Sequence, residues 1–398
     1  MSLPQLQDNV DIVHKYLEAW GLLERLGGQR FVLLLDSFDE MQTPAHLCRA
    51  NGNFTRWADH VLITGRTEAM PVNYLKDYFL PREEDSYELL QLSVAAFDAK
   101  QVEAFLNNYV QYRPEAVWKS ATAYSDKLAA VPGLQQLTST PFTLRMIVGI
   151  LPALAKGATG NFTRSRLFDE YMRQAFDKEN ARLLTTRSGV GFVVPAFESY
   201  CRALALVILA GDTPNLATTQ QLPPADEAVR QAAPIVKPSA DTISFIHKSV
   251  WEYYASRAIT HFVEGGSESG AVPPRHVVSD RGVLGFLKET VSLAKVMAWQ
   301  DLVLASSNHD RPDIPARAAV ALTVLCALHF GLHGRSFRGV RVPGAVLTGA
   351  HLRNSDFRGA DLTGVDLRDA DLTGVQLQEA CMTKVGAGSP AVFHRITQ

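Results

Sequence analysis

Cysteine is scarce in this sequence: Cys48, Cys201, Cys326 and Cys381 are the only four among 398 residues. They lie far apart, without the paired spacing of a metal site or the density of a disulfide framework, and so read as reduced thiols. Charge of one sign is scarce too. The formal net charge is −2, which gives no electrostatic footprint for nucleic acid or an anionic membrane. Long apolar runs are absent. The longest, around 204–210 and 318–328, are too short to span a bilayer. The start, MSLPQLQDNVD, has no basic-then-apolar leader. These absences make a cytoplasmic protein the expectation, with no membrane and no nucleic acid among its partners. Chemical signatures are missing as well. None of the eleven histidines falls in H-E-x-x-H or a Cys/His ligand pattern, and G-x-S-x-G does not occur. Nor does G-x-x-x-x-G-K-[ST], the loop whose backbone N–H groups and lysine hold phosphates. Gly27-Gly28 runs into Gln29-Arg30 and is no such loop.

What is present begins with FVLLLDSFDE, residues 31–40. Five apolar residues end in Asp36, followed by Ser37, Phe38 and the acids Asp39 and Glu40. An apolar run of this length predicts a strand buried on both faces of a parallel sheet. Acids at its C-terminal end stand where open α/β sheets place ligands. One carboxylate there can hold Mg²⁺ through water, and the following pair can orient or deprotonate an attacking water. HVLIT (60–64), leading to Gly65-Arg66, and YELLQL (87–92) predict two further strands. Helical spacing appears at 10–26, ahead of the first strand. It returns at 97–112, 141–155, 164–184 and 195–210. Residues 212–240 break the pattern. TISFI (242–246) predicts a short strand leading into an aromatic-rich helix at 247–259. Residues 264–280 read as a loop, and mostly helical sequence resumes over 282–333.

The last region repeats every five residues. Phe337, Val342, Leu347, Leu352, Phe357, Leu362, Leu367, Leu372, Leu377 and Met382 form one column, and a mostly small residue lies two positions before each. Five matches neither the helical nor the strand period, so ten such units predict a solenoid with large and small residues alternating inward.

Taken together, the first segments resemble the NACHT family of signal-transduction NTPases. DSFDE matches the Walker B ending of that family. The resemblance makes Asp36 the Mg²⁺-linked acid and Asp39 and Glu40 the residues of hydrolysis. VLITGRTE (61–68) is similar to the sensor 1 strand, with Arg66 toward the γ-phosphate, although Gly65 departs from the expected Ser or Cys. PGLQQLTSTPFTLRMIVGIL (132–151) resembles the first helical domain, where Pro141 matches a proline lying against adenine; a proline opening any helix reads the same way. FIHKSVWEYYASRAI (245–259) resembles the winged-helix segment. Phe245, Ser249, Glu252 and Tyr253 match, and His247 takes the position that contacts the β-phosphate of ADP. A structural or exposed histidine at a helix start is the competing reading.

The C-terminal region resembles pentapeptide repeats, most closely at ADLTG (360–364) and ADLTG (370–374). That family implies a right-handed quadrilateral β-helix, here about two and a half turns and on the order of 12 Å tall. Residues 335–384 carry six Arg and one Lys against five Asp and one Glu, a balance that disfavours DNA mimicry and favours a protein-binding surface.

The resemblances imply a multidomain α/β plus α plus β-solenoid chain. A NACHT NTPase domain without its phosphate loop would occupy 1–92, a first helical domain 93–160 and a winged-helix-like domain 161–265. A helical domain without motif (266–333), the solenoid (335–384) and a tail (385–398) would follow. ATP, ADP and Mg²⁺ are the implied ligands. The implied role is a nucleotide switch with a protein partner on the repeats and a possible homo-oligomer. A fragment of a longer protein and a degenerate relative both fit the missing loop. A non-catalytic scaffold keeping a relic fold is the alternative function.

Overall fold

The structure, a computed structural model, describes residues 10–26, 28–36, 38, 41, 45–65, 70, 73–83, 85, 87–154, 162–186, 194–211, 217–225, 229–230, 234–236, 242–266, 272–273, 280–308 and 311–386. Among them are thirteen α-helices: α1 (Ile12–Ala19), α2 (Leu23–Leu26), α3 (Leu47–Ala50), α4 (Tyr74–Tyr78), α5 (Ala99–Tyr112), α6 (Ala121–Ala130), α7 (Pro141–Leu154), α8 (Arg164–Thr186), α9 (Val194–Ala210), α10 (Lys248–Val263), α11 (Arg281–Thr290), α12 (Leu293–Ala305) and α13 (Asp313–Ala327). The strands are β1 (Phe31–Leu35), β2 (Ala58–Ile63), β3 (Ala217–Thr218), β4 (Ile235–Val236) and β5 (Thr242–Phe245). No helix among the described residues is long and apolar enough to cross a membrane. The chain divides into two compact units.

The first unit comprises Met1–Val94, Ala210–Gln220 and Lys237–Ser244. The helical pattern at 10–26 breaks into α1 and α2 at Gly21, whose φ of 64° suits a residue without Cβ. Asn51 ties α1 to α3: its Oδ1 accepts from the Ile12 N–H at 2.9 Å while its Nδ2 donates to the Leu47 carbonyl at 2.8 Å. Strands β1 and β2 pair in parallel, Leu33 opposite Val61 and Leu35 opposite Ile63. Leu33 and Leu35 face a core with Ile12, Leu17, Phe38, Phe54 and Trp57. The alternate residues Val32 and Leu34 are 65% and 58% exposed, so the expected burial of β1 on both faces gives way to burial on one. The structure also puts no strand at 87–92. That segment is anchored by the Tyr87 hydroxyl donating to the Phe79 carbonyl at 2.8 Å, and Leu90 and Leu92 are exposed. Local alternation in YELLQL suits a strand, but no described strand pairs with it.

The second unit comprises Ala95–Leu209, Gln221–Val236 and Phe245–Gln398. Its helices begin where side chains satisfy the first backbone donors. Asp98 and Gln101 form a reciprocal capping box on α5, at 2.8 and 2.9 Å. Ser120, Asp280 and Ser292 cap α6, α11 and α12. Pro141 opens α7. Helix α10 is the central element. Val250, Trp251, Tyr253, Tyr254, Ala255, Ala258 and Ile259 are all buried, and the Trp251 indole donates to the Ala205 carbonyl at 3.2 Å.

The five-residue pattern at the C-terminus pairs with itself at a spacing of four units. Parallel bridges join Ser336 to Asp356, Arg341 to Asp361, Val346 to Asp366 and His351 to Asp371, each pair twenty residues apart. Val342 N–H donates to the Asp361 carbonyl at 3.0 Å, and Asp361 N–H donates to the Val340 carbonyl at 2.8 Å, so each turn is bonded to the next. The large column from Phe337 to Leu367 is buried, as are the small residues Val340, Ala345, Ala350, Ser355, Ala360 and Val365. Phe337 and Phe357 stack across one turn, 4.8 Å between ring centres. One residue in five takes a positive φ. Glycine supplies it at 339, 344, 349, 359, 364 and 374, whereas Asn354, Asp369, Glu379 and Lys384 adopt it with a side chain.

Candidate functional site

The candidate nucleotide residues fall in both units. In the first, Asp36 stands at the C-terminal end of β1, exposed, and accepts a hydrogen bond from the Thr64 hydroxyl just past β2. The Thr64 N–H donates to the Leu35 carbonyl and the Phe38 N–H to the Thr64 carbonyl, both at 2.9 Å, which holds the two strand ends level. The hydroxyl thus fixes the Asp36 carboxylate at the end of the two strands. Asp39, Glu40 and Arg66 lie outside the described residues.

In the second unit, the neighbour of Pro141, not Pro141 itself, reaches His247. Phe142 follows Pro141 at the start of α7, and its ring stacks on the His247 imidazole, 3.8 Å between centres and 10° from parallel. His247 is the N-cap of α10, with its Nδ1 accepting from the Ser249 N–H at 3.0 Å. That bond requires an unprotonated Nδ1.

The rest of the matched segment docks α10 on α8. Residues 249, 252 and 253 share one face of a helix. Arg164, at the start of α8, donates to the Ser249 hydroxyl at 3.0 Å and to Glu252 Oε2 at 3.3 Å. Glu252 is buried, and Arg164 lies over the Phe286 ring at 4.2 Å. The buried carboxylate is therefore paired rather than isolated. One helical turn on, Tyr253 donates to Asp169 at 2.5 Å, and Arg257 lies 3.5 Å from the same carboxylate. Burial, and then the Asp169 carboxylate, push the Tyr253 hydroxyl well above the usual tyrosine range, so it stays a donor. Gly282 of α11 closes the site from another side: a Cβ there would stand 2.1 Å from the Glu252 carboxyl carbon. Lys248 and Asp280 pair at 3.5 Å between the starts of α10 and α11. Phe142, Arg164, Asp169 and Gly282 were not legible as partners in the sequence, because only the tertiary fold brings them to residues 247–257.

The repeats present a second candidate surface. Asp356 takes Arg358 at 2.7 Å and Arg338, from the turn before, at 4.0 Å. Arg358 holds the Asp356 carboxyl down at about 2, well below the usual carboxylate range. Arg353 reaches Asp371 at 3.4 Å and Arg368 reaches Asp366 at 2.6 Å. Outward positions thus carry paired charge over a backbone hydrogen-bonded from turn to turn. No group of three or more His, Cys, Asp or Glu side chains among the described residues could hold a metal ion.

Comparison with known families bears on the repeats alone. Residues 336–369 and 352–385 match the family model of pentapeptide repeats. No curated protein matches the chain.

Proposed function

We propose that this chain is a protein-interaction scaffold, in which a helical body presents a pentapeptide-repeat stack to a protein partner. The observation that carries the reading is the outer charge array on Asp356, Asp366 and Asp371, each paired with an arginine on a backbone bonded turn to turn. Such an array is rigid before binding, so little ordering entropy opposes association. Its mixed signs suit a protein surface better than a polyanion. The finer form of the stack is a right-handed quadrilateral β-helix, one unit to each face.

The test is a charge reversal that spares the core. Arg338→Glu with Arg353→Glu changes two exposed side chains on neighbouring faces. Proximity labelling in cells is expected to lose its main partner while the circular dichroism of the purified variant stays unchanged. An identical partner set for the variant would overturn the reading.

A second reading is a NACHT-type nucleotide switch, and the stacking of Phe142 on His247 favours it, since it brings the neighbour of Pro141 onto the histidine. Asp36 would hold Mg²⁺, His247 the phosphate of ADP, and Pro141 the base. When bound, nucleotide and metal would supply phosphoryl chemistry. The chain's own residues would bind and orient, with Asp39 and Glu40 serving the water and Arg66 the γ-phosphate. In this reading the chain acts in the cytoplasm, as part of a homo-oligomer, and the repeats carry its output.

A further inference from the structure

Helices α12 and α13 lie in the one stretch of sequence without a motif, and they end on the repeats. Within the stack, the N–H of each bridged residue donates to a carbonyl of the turn before it: Asp361 to Val340 and Asp366 to Ala345, at 2.8 and 2.9 Å. The first turn has no earlier turn to receive such donors. Two buried hydroxyls of the helices stand in for those carbonyls. The Arg341 N–H donates to Ser306 Oγ and the Val346 N–H to Thr323 Oγ1, both at 2.9 Å. Each hydroxyl proton is already committed to its own helix, Ser306 to the Val303 carbonyl at 2.6 Å and Thr323 to the Ala319 carbonyl at 2.8 Å. Their lone pairs are thereby left for the repeat edge. Both N–H groups are part-buried, and a backbone donor shielded from water is disfavoured when it loses its acceptor.

Helix α13 also holds the end of α10. The Arg317 guanidinium donates twice to the Val263 carbonyl, at 2.9 and 3.1 Å, where α10 leaves its last acceptors unsatisfied. It is steadied by Asp313 at 3.1 Å. Thr323 lies between one and two helical turns further along the same rod.

We propose that α12 and α13 act as a substitute first turn for the repeats and, through Arg317, make the stack and α10 one mechanical body. A displacement of α10 would then carry the stack with it rather than being lost in a linker.

The experiment is hydrogen exchange followed by mass spectrometry on the full chain. In Ser306→Ala/Thr323→Val, peptides spanning 336–351 are expected to exchange at least about fivefold faster, with those of 372–386 unchanged. Thr323→Ser, which keeps the hydroxyl, should exchange like the parent chain. Arg317→Gln should accelerate both the last turn of α10 and the 336–351 peptides. If the double variant does not fold, the single variants give the same reading. Unchanged exchange over 336–351 in the hydroxyl variants would overturn the capping role. An Arg317→Gln effect confined to α10 would overturn the coupling.

Discussion

Single side chains on α10 tie it to α8 and α9: Ser249 and Glu252 to Arg164, Tyr253 to Asp169 and Trp251 to the Ala205 carbonyl. Glu252 is buried against Arg164, and removing one partner of such a pair leaves an uncompensated charge. Arg164→Met is therefore expected to lower stability by about 3–5 kcal/mol, read as a shift in the urea unfolding midpoint. Gly282→Ala attacks the same pair from another side, because its Cβ would stand 2.1 Å from the Glu252 carboxyl carbon. The loss should be about 1–3 kcal/mol. On the repeats, Asp356 gives a pH signature. Its carboxyl sits at about 2 in the folded chain, against about 3.9 when unfolded. The ionised form is the one favoured by folding, so its contribution is full above about pH 4 and is lost as pH falls toward 2. Melting of the repeats followed across this window should show the loss, and Asp356→Asn should flatten it. A variant that keeps the full acid dependence would assign the effect to other carboxylates.

Elements differ in how plainly the sequence announced them. Helices α5, α7, α8 and α9 lie within about two residues of the spans their apolar spacing implied, because each has a clear stripe and most have a cap. The repeat column was legible for the same reason, since a strict period of five leaves one side of each unit apolar. Residues 31–35 were legible as a strand but not in their burial. Composition shows that a strand can be covered on both faces, not that the cover exists. YELLQL misled in a related way, since alternation is a local property and pairing is not. The joint at His247 was half legible: the residues on α10 stood out, while Phe142 and Arg164 carried no local signal. The positive-φ positions yield a further expectation. Glu379 holds φ at 64°, where L side chains are strained. Glu379→Gly should stabilise the stack by about 1 kcal/mol, visible as a higher midpoint of repeat unfolding. Phe357→Asp should do the reverse, since Phe357 is buried and stacked on Phe337. Limited proteolysis should then cut beyond residue 335, and continued protection there would show that the large column is dispensable.

At the scale of the molecule, the sequence carries an acid at a parallel strand end but no phosphate loop. Each charge-assisted hydrogen bond contributes roughly 1.5–3 kcal/mol, and such a loop provides several. Titration calorimetry of the whole chain with Mg²⁺-ATP is accordingly expected to show no micromolar binding and no hydrolysis. Micromolar affinity abolished by Asp36→Ala would mean that other residues replace the loop, and would raise the switch above the scaffold.

The twenty-residue return of the repeats has a consequence for how such a chain can vary. Ser336 meets Asp356 because four units bring the backbone back above itself. Adding four units lengthens the stack by one strand spacing, roughly 4.8 Å, and returns every later face to its old heading. In the quadrilateral form proposed above, adding one unit would leave the height almost unchanged and swing every later face a quarter turn about the axis. Length and heading are thus set by separate arithmetic on the same sequence. A lineage could lengthen its reach in steps of twenty residues without re-aiming what it displays, or re-aim it in steps of five without extending it.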